Sequence, residues 1–311
     1  MSKDYLTLVK RLYSTDETVA LTSNYQHFWH NRKLWKDRLT VTEIIIRHGK
    51  EPVAHLLAQY DDVKKLVYIG FIEFTNDISV VKELITKAKK HINQAGWAGQ
   101  VYAPVNCSLW HHYRFQVEGE RQPLFDLPHQ PYYPTLLRSY FAESAAFHSY
   151  CLATTERYRI ASPHDYQIDN YHHGMTDIKQ LYRLTLDIFD DIKHHSQPAF
   201  EEFQDQFSYL SHIQNNYLLQ AYNDSRRQRV VGMAFGLVND NRLLIKTVGT
   251  IPSYRQRGVA GTLFNQLMIR AQTDKINEAE LLYLADNRLV SRLLPPNCQT
   301  TASYVLFNTL K

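Results

Sequence analysis

The chain has 311 residues, enough for two domains of ordinary size. Its 44% hydrophobic, 13% aromatic and 21% charged residues exclude a disordered chain, a collagen-like repeat and a disulfide miniprotein. Lys and Arg outnumber Asp and Glu by 35 to 31, and this net charge of +4 is far from the concentrated basic stripe that nucleic-acid binding leaves, so no nucleic-acid partner is expected.

In chain order, the first clear pattern is a series of short apolar segments, Thr42 to Arg47, Val53 to Tyr60 and Leu66 to Phe74, rich in β-branched and aromatic residues and separated by polar stretches of hairpin length. They read as an antiparallel meander. Val81, Leu84, Ile85, Ala88, Ile92 and Ala95 then fall on one face of an amphipathic helix that Gly96 ends, and Gln100 to Val105 reads as the next strand. Strand, helix, strand in that order implies a crossover within one sheet.

The second half follows the same plan. Ile178, Leu181, Tyr182, Thr185, Ile188, Phe189 and Ile192 outline one helix, and Phe200, Phe203, Phe207 and Leu210 a second. Three strands follow at Tyr217 to Tyr222, Arg229 to Val238 and Arg242 to Ile251, then a helix through Ala260, Leu263, Phe264, Leu267, Met268 and Ala271, then a strand at Glu280 to Leu284. Two local matches occur in the same order in both halves. Tyr102-Ala-Pro-Val-Asn106 parallels Tyr283-Leu-Ala-Asp-Asn287, and Ser149-Tyr-Cys-Leu-Ala-Thr-Thr155 parallels Ser303-Tyr-Val-Leu-Phe-Asn-Thr309. The chain is therefore expected to be an α/β (α+β) protein with a mixed, mostly antiparallel sheet flanked by helices, in two tandem copies, residues 1–155 and 156–311.

With only 11 glycines in the chain, a local pair needs a reason, and Gly258 and Gly261 stand between the strand Arg242 to Ile251 and its following helix. A loop entering a helix leaves backbone N–H groups without intrahelical partners at the positive end of the helix dipole, which suits a phosphate or pyrophosphate. The residues Pro252-x-x-Arg255-x-x-Gly258-x-Ala260 resemble the acyl-CoA pyrophosphate loop of the GNAT superfamily of N-acetyltransferases, whose pattern is Gln/Arg-x-x-Gly-x-Gly/Ala. The same pattern occurs at Arg229-Val-Val-Gly232-Met-Ala234, but inside an apolar strand segment with no helix start behind it. The first half has no counterpart, since its junction reads Phe74-Thr-Asn-Asp-Ile-Ser79, and an aspartate without a glycine suits no pyrophosphate.

The resemblance covers residues 156–311 well and the first half only in outline. It implies an N-acetyltransferase that passes an acyl group from acetyl-CoA, or another acyl-CoA, to an amine acceptor, small or on a protein, by direct attack in a ternary complex. It also implies that backbone groups of Val248, Gly249 and Thr250 pair with the pantetheine arm, that Arg255, Gln256, Arg257, Gly258, Val259 and Ala260 cradle the pyrophosphate, and that Asn287 helps hold the pantetheine. The family's proton donor to the leaving thiolate is usually a tyrosine. Here Arg288 to Leu294 contains none, which leaves Tyr304 and Tyr283 as catalytic candidates, with a packed strand tyrosine as the alternative reading of each. No carboxylate lies on Leu243 to Ile251, where the family often carries a base; Lys246 and Thr247 occupy its middle. Asp187, Asp190, Asp191, Glu201, Glu202 and Asp205 could attract a cationic amine, but acidic residues on helices are usually a solvated face, and these are read as one. Missing the usual acid and base, the chain also admits a second reading, a non-catalytic acyl-CoA-binding sensor or interaction protein.

Other signals are weak. Fifteen histidines form no His-Glu-x-x-His, and Cys107, Cys151 and Cys298 form no Cys-x-x-Cys, so neither a metal site nor a disulfide framework is expected. With no signal-peptide pattern and no run of about 18 apolar residues, a cytoplasmic protein without membrane association is expected. The sequence does not fix an oligomeric state.

Overall fold

The computed structural model describes residues 2–35, 37–97, 99–106, 112, 114–119, 126–155, 166–170, 175–191, 197–211, 216–222, 229–285, 294 and 298–310. By its contacts the chain divides into two units. Unit 1 comprises Met1–Ala146, His194–Ala199 and Ser303–Lys311, and unit 2 comprises Phe147–Lys193 and Phe200–Ala302. The sequence reading cuts the chain once, near residue 156; the contacts divide it at four places, of which the first lies inside the strand β6 (Phe141–Ala153) and the last inside β12 (Gln299–Leu310).

Unit 1 begins with two helices, α1 (Lys3–Leu12) and α2 (Thr15–Trp35), that the sequence reading passes over. Ser2 caps α1 by accepting a hydrogen bond from the Tyr5 N–H, and Tyr5, Leu8 and Val9 form its buried stripe. The meander is present as β1 (Leu39–His48), β2 (Glu51–Asp61) and β3 (Leu66–Phe74), all antiparallel, and α3 (Ile78–Gln94) crosses to β4 (Gln100–Ala103), which pairs parallel to β3. Alternation along β2 sorts its residues between two helical layers. Ala54, Leu56 and Ala58 pack into a core with Val81, Leu84, Ile85 and Ala88 of α3, while the His55 ring lies against Tyr5 of α1 and Tyr25 of α2. The sheet continues from β4 to Phe307 and Asn308 of β12, and Ser303, Tyr304 and Val305 of β12 pair with β5 (Phe115–Glu118). The short α4 (Tyr133–Leu137) adds Tyr133 and Leu137 to the α3-side core.

Unit 2 has helices α5 (Met175–Phe189) and α6 (Phe200–Ser211), then β8 (Asn216–Tyr222), β9 (Val230–Asn239) and β10 (Arg242–Thr250) as an antiparallel meander. The short β7 (Gln167–Asn170) pairs with β8. After α7 (Val259–Thr273), β11 (Glu278–Ala285) pairs parallel to β10, and residues 147–153 of β6 pair antiparallel to its other edge. Adjacent residues of β9 again face opposite layers. Met233 meets Thr185 of α5, and a side chain at Gly232 would press on Val259 and Leu263 of α7.

The two matched segment pairs of the sequence fall on equivalent strands. Tyr102 lies on β4 and Tyr283 on β11, each the strand parallel to the last of its meander, while Ser149 lies on β6 and Ser303 on β12, each antiparallel to that strand. Each unit therefore takes its closing strand from the far side of the sequence midpoint: residues 147–153 close unit 2 and residues 303–310 close unit 1. None of the described helices is long and apolar enough to cross a membrane, and the described residues include no group of three His, Cys, Asp or Glu that would hold a metal ion.

Candidate acyl-CoA site in unit 2

β10 and β11 run in parallel register from Arg242–Glu278 to Ile245–Leu281, and among the described residues their pairing ends there. Both strands then break regularity. β10 shifts register against β9 between Ile245 and Thr247, which singles out Lys246, and β11 shifts against β6 between Leu281 and Leu284, where Tyr283 adopts φ +60°. Past the end of the pairing, Val248, Gly249 and Thr250 remain bonded to β9 through Ala234, Met233 and Gly232.

Residues 251–258 lead from β10 to α7. A 3-10 turn at Pro252–Tyr254 is followed by Gln256 at φ +61° and Gly258 at φ +86°, ψ −4°. Gly258 is the N-cap of α7 and, having no side chain, supplies no capping hydrogen bond; its carbonyl accepts from the N–H and hydroxyl of Thr262 at 2.9 and 3.1 Å. The first turn of α7 thus starts without a side-chain cap, at a glycine in the left-handed region.

The Arg255 side chain turns back onto α5. Its guanidinium makes a bidentate pair with Asp191 at 2.6 and 3.0 Å and donates to the Ile188 carbonyl at 3.0 Å, while its Nε reaches the Thr250 carbonyl at 3.4 Å. The pairing holds Asp191 below, and Arg255 above, its ordinary pKa. The absence of a side chain at Gly249 allows the closeness, because a Cβ there would overlap Ile188 Cγ2. On the loop's other flank the Tyr166 hydroxyl donates to the Arg257 carbonyl at 3.3 Å, and the Arg257 guanidinium lies 5.1 Å from the Tyr254 ring centre. Asp191 and Tyr166 stand 64 and 91 residues from their partners, so no local spacing announces either.

The structure therefore brings Val248, Gly249, Thr250 and Arg255 to Ala260 together in unit 2, with the half-buried Tyr283 on β11, whose N–H donates to Ser149 Oγ at 3.4 Å. Thr250 Oγ1 is buried with no hydrogen-bond partner among the described residues. Asn287 lies outside the described residues. Tyr304 belongs to unit 1, where it is 1% exposed and carries the Arg114 guanidinium 5.4 Å from its ring centre. The acidic face needs correction, since Glu202 is fully buried and Asp191 is engaged by Arg255. Of the second pattern match, Val230 to Ala234 lie on β9 and Arg229 just precedes it, as the apolar character of the segment implies.

Unit 1 shows the same junction closed. After three parallel pairs, Leu66–Gln100 to Tyr68–Tyr102, the chain beyond β4 returns to β3. The Val105 N–H donates to the Ile69 carbonyl at 2.9 Å, Asn106 Oδ1 accepts from the Phe71 N–H at 2.7 Å, and Gln59 Nε2 donates to the Val105 carbonyl at 3.3 Å. A side chain at Gly70 would overlap Asn106 Oδ1 and the Val105 carbonyl. At the start of α3, Asp77 caps the helix, accepting from the N–H and hydroxyl of Ser79, both at 2.7 Å. A carboxylate there occupies the N–H groups and repels a phosphate.

Residues 178–292 match the family model of the GNAT acetyltransferase family. Comparison with curated proteins finds no match. Among solved structures, a GCN5-related N-acetyltransferase from Sphaerobacter thermophilus is 13% identical over 86% of this chain and 80% of its own, with TM-score 0.52. Another from Kribbella flavida is 12% identical over 99% and 68%, with TM-score 0.56, and a conserved protein of unknown function from Enterococcus faecalis V583 is 10% identical over 99% and 70%, with TM-score 0.62. At these identities the likeness to the solved structures is one of fold, and the likeness to the GNAT acetyltransferase family rests on the match of residues 178–292.

Proposed function

We propose that the chain is an acyl-CoA-dependent N-acyltransferase whose unit 2 holds the acyl-CoA and whose unit 1 is a GNAT-like domain that has lost this capacity. The observation that carries the reading is the contrast between two equivalent junctions. In unit 2, β10 and β11 part beside a helix start opened by a left-handed glycine; in unit 1, Val105, Asn106 and Asp77 fill the corresponding places. The backbone of Val248 to Thr250 and the loop Arg255 to Ala260 fit a long ligand with an extended arm and a pyrophosphate, and bound acyl-CoA supplies an activated acyl thioester. The protein's task is then to present a neutral amine and to protonate the departing thiolate. Tyr283, placed where β11 shifts register against β6, is the donor candidate that belongs to the same unit as the loop.

Titration calorimetry with acetyl-CoA and longer acyl-CoAs tests the reading. Micromolar binding is expected, and Gly258→Val should abolish it, since a β-branched residue at φ +86° is strained and its Cβ enters the phosphate approach. Binding that survives Gly258→Val would refute the site. Mass spectrometry of an amine panel with acetyl-CoA then separates the enzyme from the sensor: an acylated amine, reduced in Tyr283→Phe, is the enzyme's result, and silence across the panel despite binding is the sensor's.

A further inference from the structure

The arginine of the loop is spent on the protein itself. Four contacts hold its side chain, two from Asp191, one from the Ile188 carbonyl and one from the Thr250 carbonyl. The Ile188 carbonyl belongs to the last turn of α5, where a cation is favoured by the helix dipole. The Ile188 side chain meanwhile sits where a Cβ on Gly249 would be. One end of α5 thus grips both β10 and the start of the loop.

We propose that Asp191 is a positioning residue for the acyl-CoA loop. By clamping Arg255 to the end of α5 it keeps residues 256–258 in their two left-handed conformations and so keeps the first turn of α7 open to phosphate. A guanidinium held by a bidentate carboxylate has a fixed plane and direction, so the backbone that carries it is fixed too. Gln256 is the residue that most needs this support, because it holds φ +61° with a full side chain. It follows that the phosphate charge is met by backbone N–H groups and Arg257, which stacks on Tyr254, and not by Arg255. This inference rests on the acyl-CoA reading of the same loop.

The test is a double-mutant cycle on Asp191→Asn and Arg255→Gln, read by calorimetry with desulfo-CoA and by the acyl-CoA KM and kcat. Each single variant should raise Kd and KM about fivefold, the upper range for a partly exposed ion pair, with kcat within about twofold. The double variant should also lose about fivefold, not the product of the two, and Asp191→Glu should keep most of the affinity. Arg257→Gln should add fully to Asp191→Asn. If Arg255 bound phosphate itself, Asp191→Asn would free it and tighten binding, and Arg255→Gln would cost its full factor in either background; either result overturns the inference. Amide hydrogen exchange without ligand keeps the inference testable on its own. Asp191→Asn should speed exchange at residues 256–260 while β9 stays protected, and unchanged exchange there would refute the clamp. If wild type binds no CoA, the acyl-CoA reading falls while the exchange result still decides the clamp.

Discussion

Glu73 offers a quantitative test of how unit 1 is built. Its carboxyl is buried on β3 and accepts hydrogen bonds from the hydroxyls of Tyr13 at 2.6 Å and Tyr133 at 2.8 Å, which tie the segment after α1 and the helix α4 to the strand. Burial raises its pKa from 4.5 to about 8, and the two tyrosine hydrogen bonds only partly oppose the rise. A carboxyl with its folded pKa above its unfolded one binds more protons when folded, so it contributes stability that is full below pH 4.5 and is lost as pH rises through 8. Integrating the linkage between pH 6 and pH 8 gives a loss of about 2 kcal/mol from this one group. Glu73→Gln keeps the shape and the acceptor oxygen but cannot titrate. Urea unfolding at pH 6 and pH 8 should therefore show wild type falling by about 2 kcal/mol more than Glu73→Gln, with the same sign for any signal that follows unit 1. Equal pH dependence in the two proteins would show that the carboxyl is solvated or already paired, and would refute the argument.

Two further outcomes follow from the fold. Deleting residues 303–311 removes the buried side chains of Tyr304, Val305, Leu306 and Phe307, each worth on the order of 2 kcal/mol, which exceeds half of an ordinary domain's stability. Unit 1 should then lose its cooperative melting transition, and an unchanged transition by circular dichroism would contradict its strand order. Gly70→Ala should destabilise unit 1 by about 1–3 kcal/mol, because its Cβ meets a backbone carbonyl that cannot turn aside, while the CoA affinity of unit 2 stays as in wild type. A loss of CoA affinity in that variant would mean that unit 1 shares in the site.

Much of this was legible because the chemistry is local. Three-strand meanders, the helices that follow them and the loop at Gly258 are written in residues a few positions apart, and all stand where the periodicities put them. Helix α2 escaped because its buried positions, Thr18, Leu21, Tyr25, Phe28, Asn31 and Trp35, have helical spacing but mix polar and aromatic residues, so no apolar stripe shows. The Arg255 clamp escaped because an acidic residue on a helix reads as solvated until the chain brings its partner from 64 positions away. The strand partners escaped for a similar reason. The likeness of Ser149–Thr155 to Ser303–Thr309 could be read as duplication, but nothing local says that each segment would close the other half's sheet.

That arrangement also sets a timetable for synthesis. The first 146 residues leave the ribosome with an incomplete sheet, whose β4 edge and α3-side core await Val305 and Phe307. At about 5–20 residues per second, making residues 147–302 takes roughly 10–30 s, during which the nascent N-terminal part shows an unpaired edge strand beside an unfilled apolar core. Unit 2 is complete once Ala302 is made, since its borrowed strand precedes the rest of it, whereas unit 1 still needs Ser303–Lys311. The later half of the chain is thus the first able to finish folding, and the earlier half is the one that needs shelter while it waits.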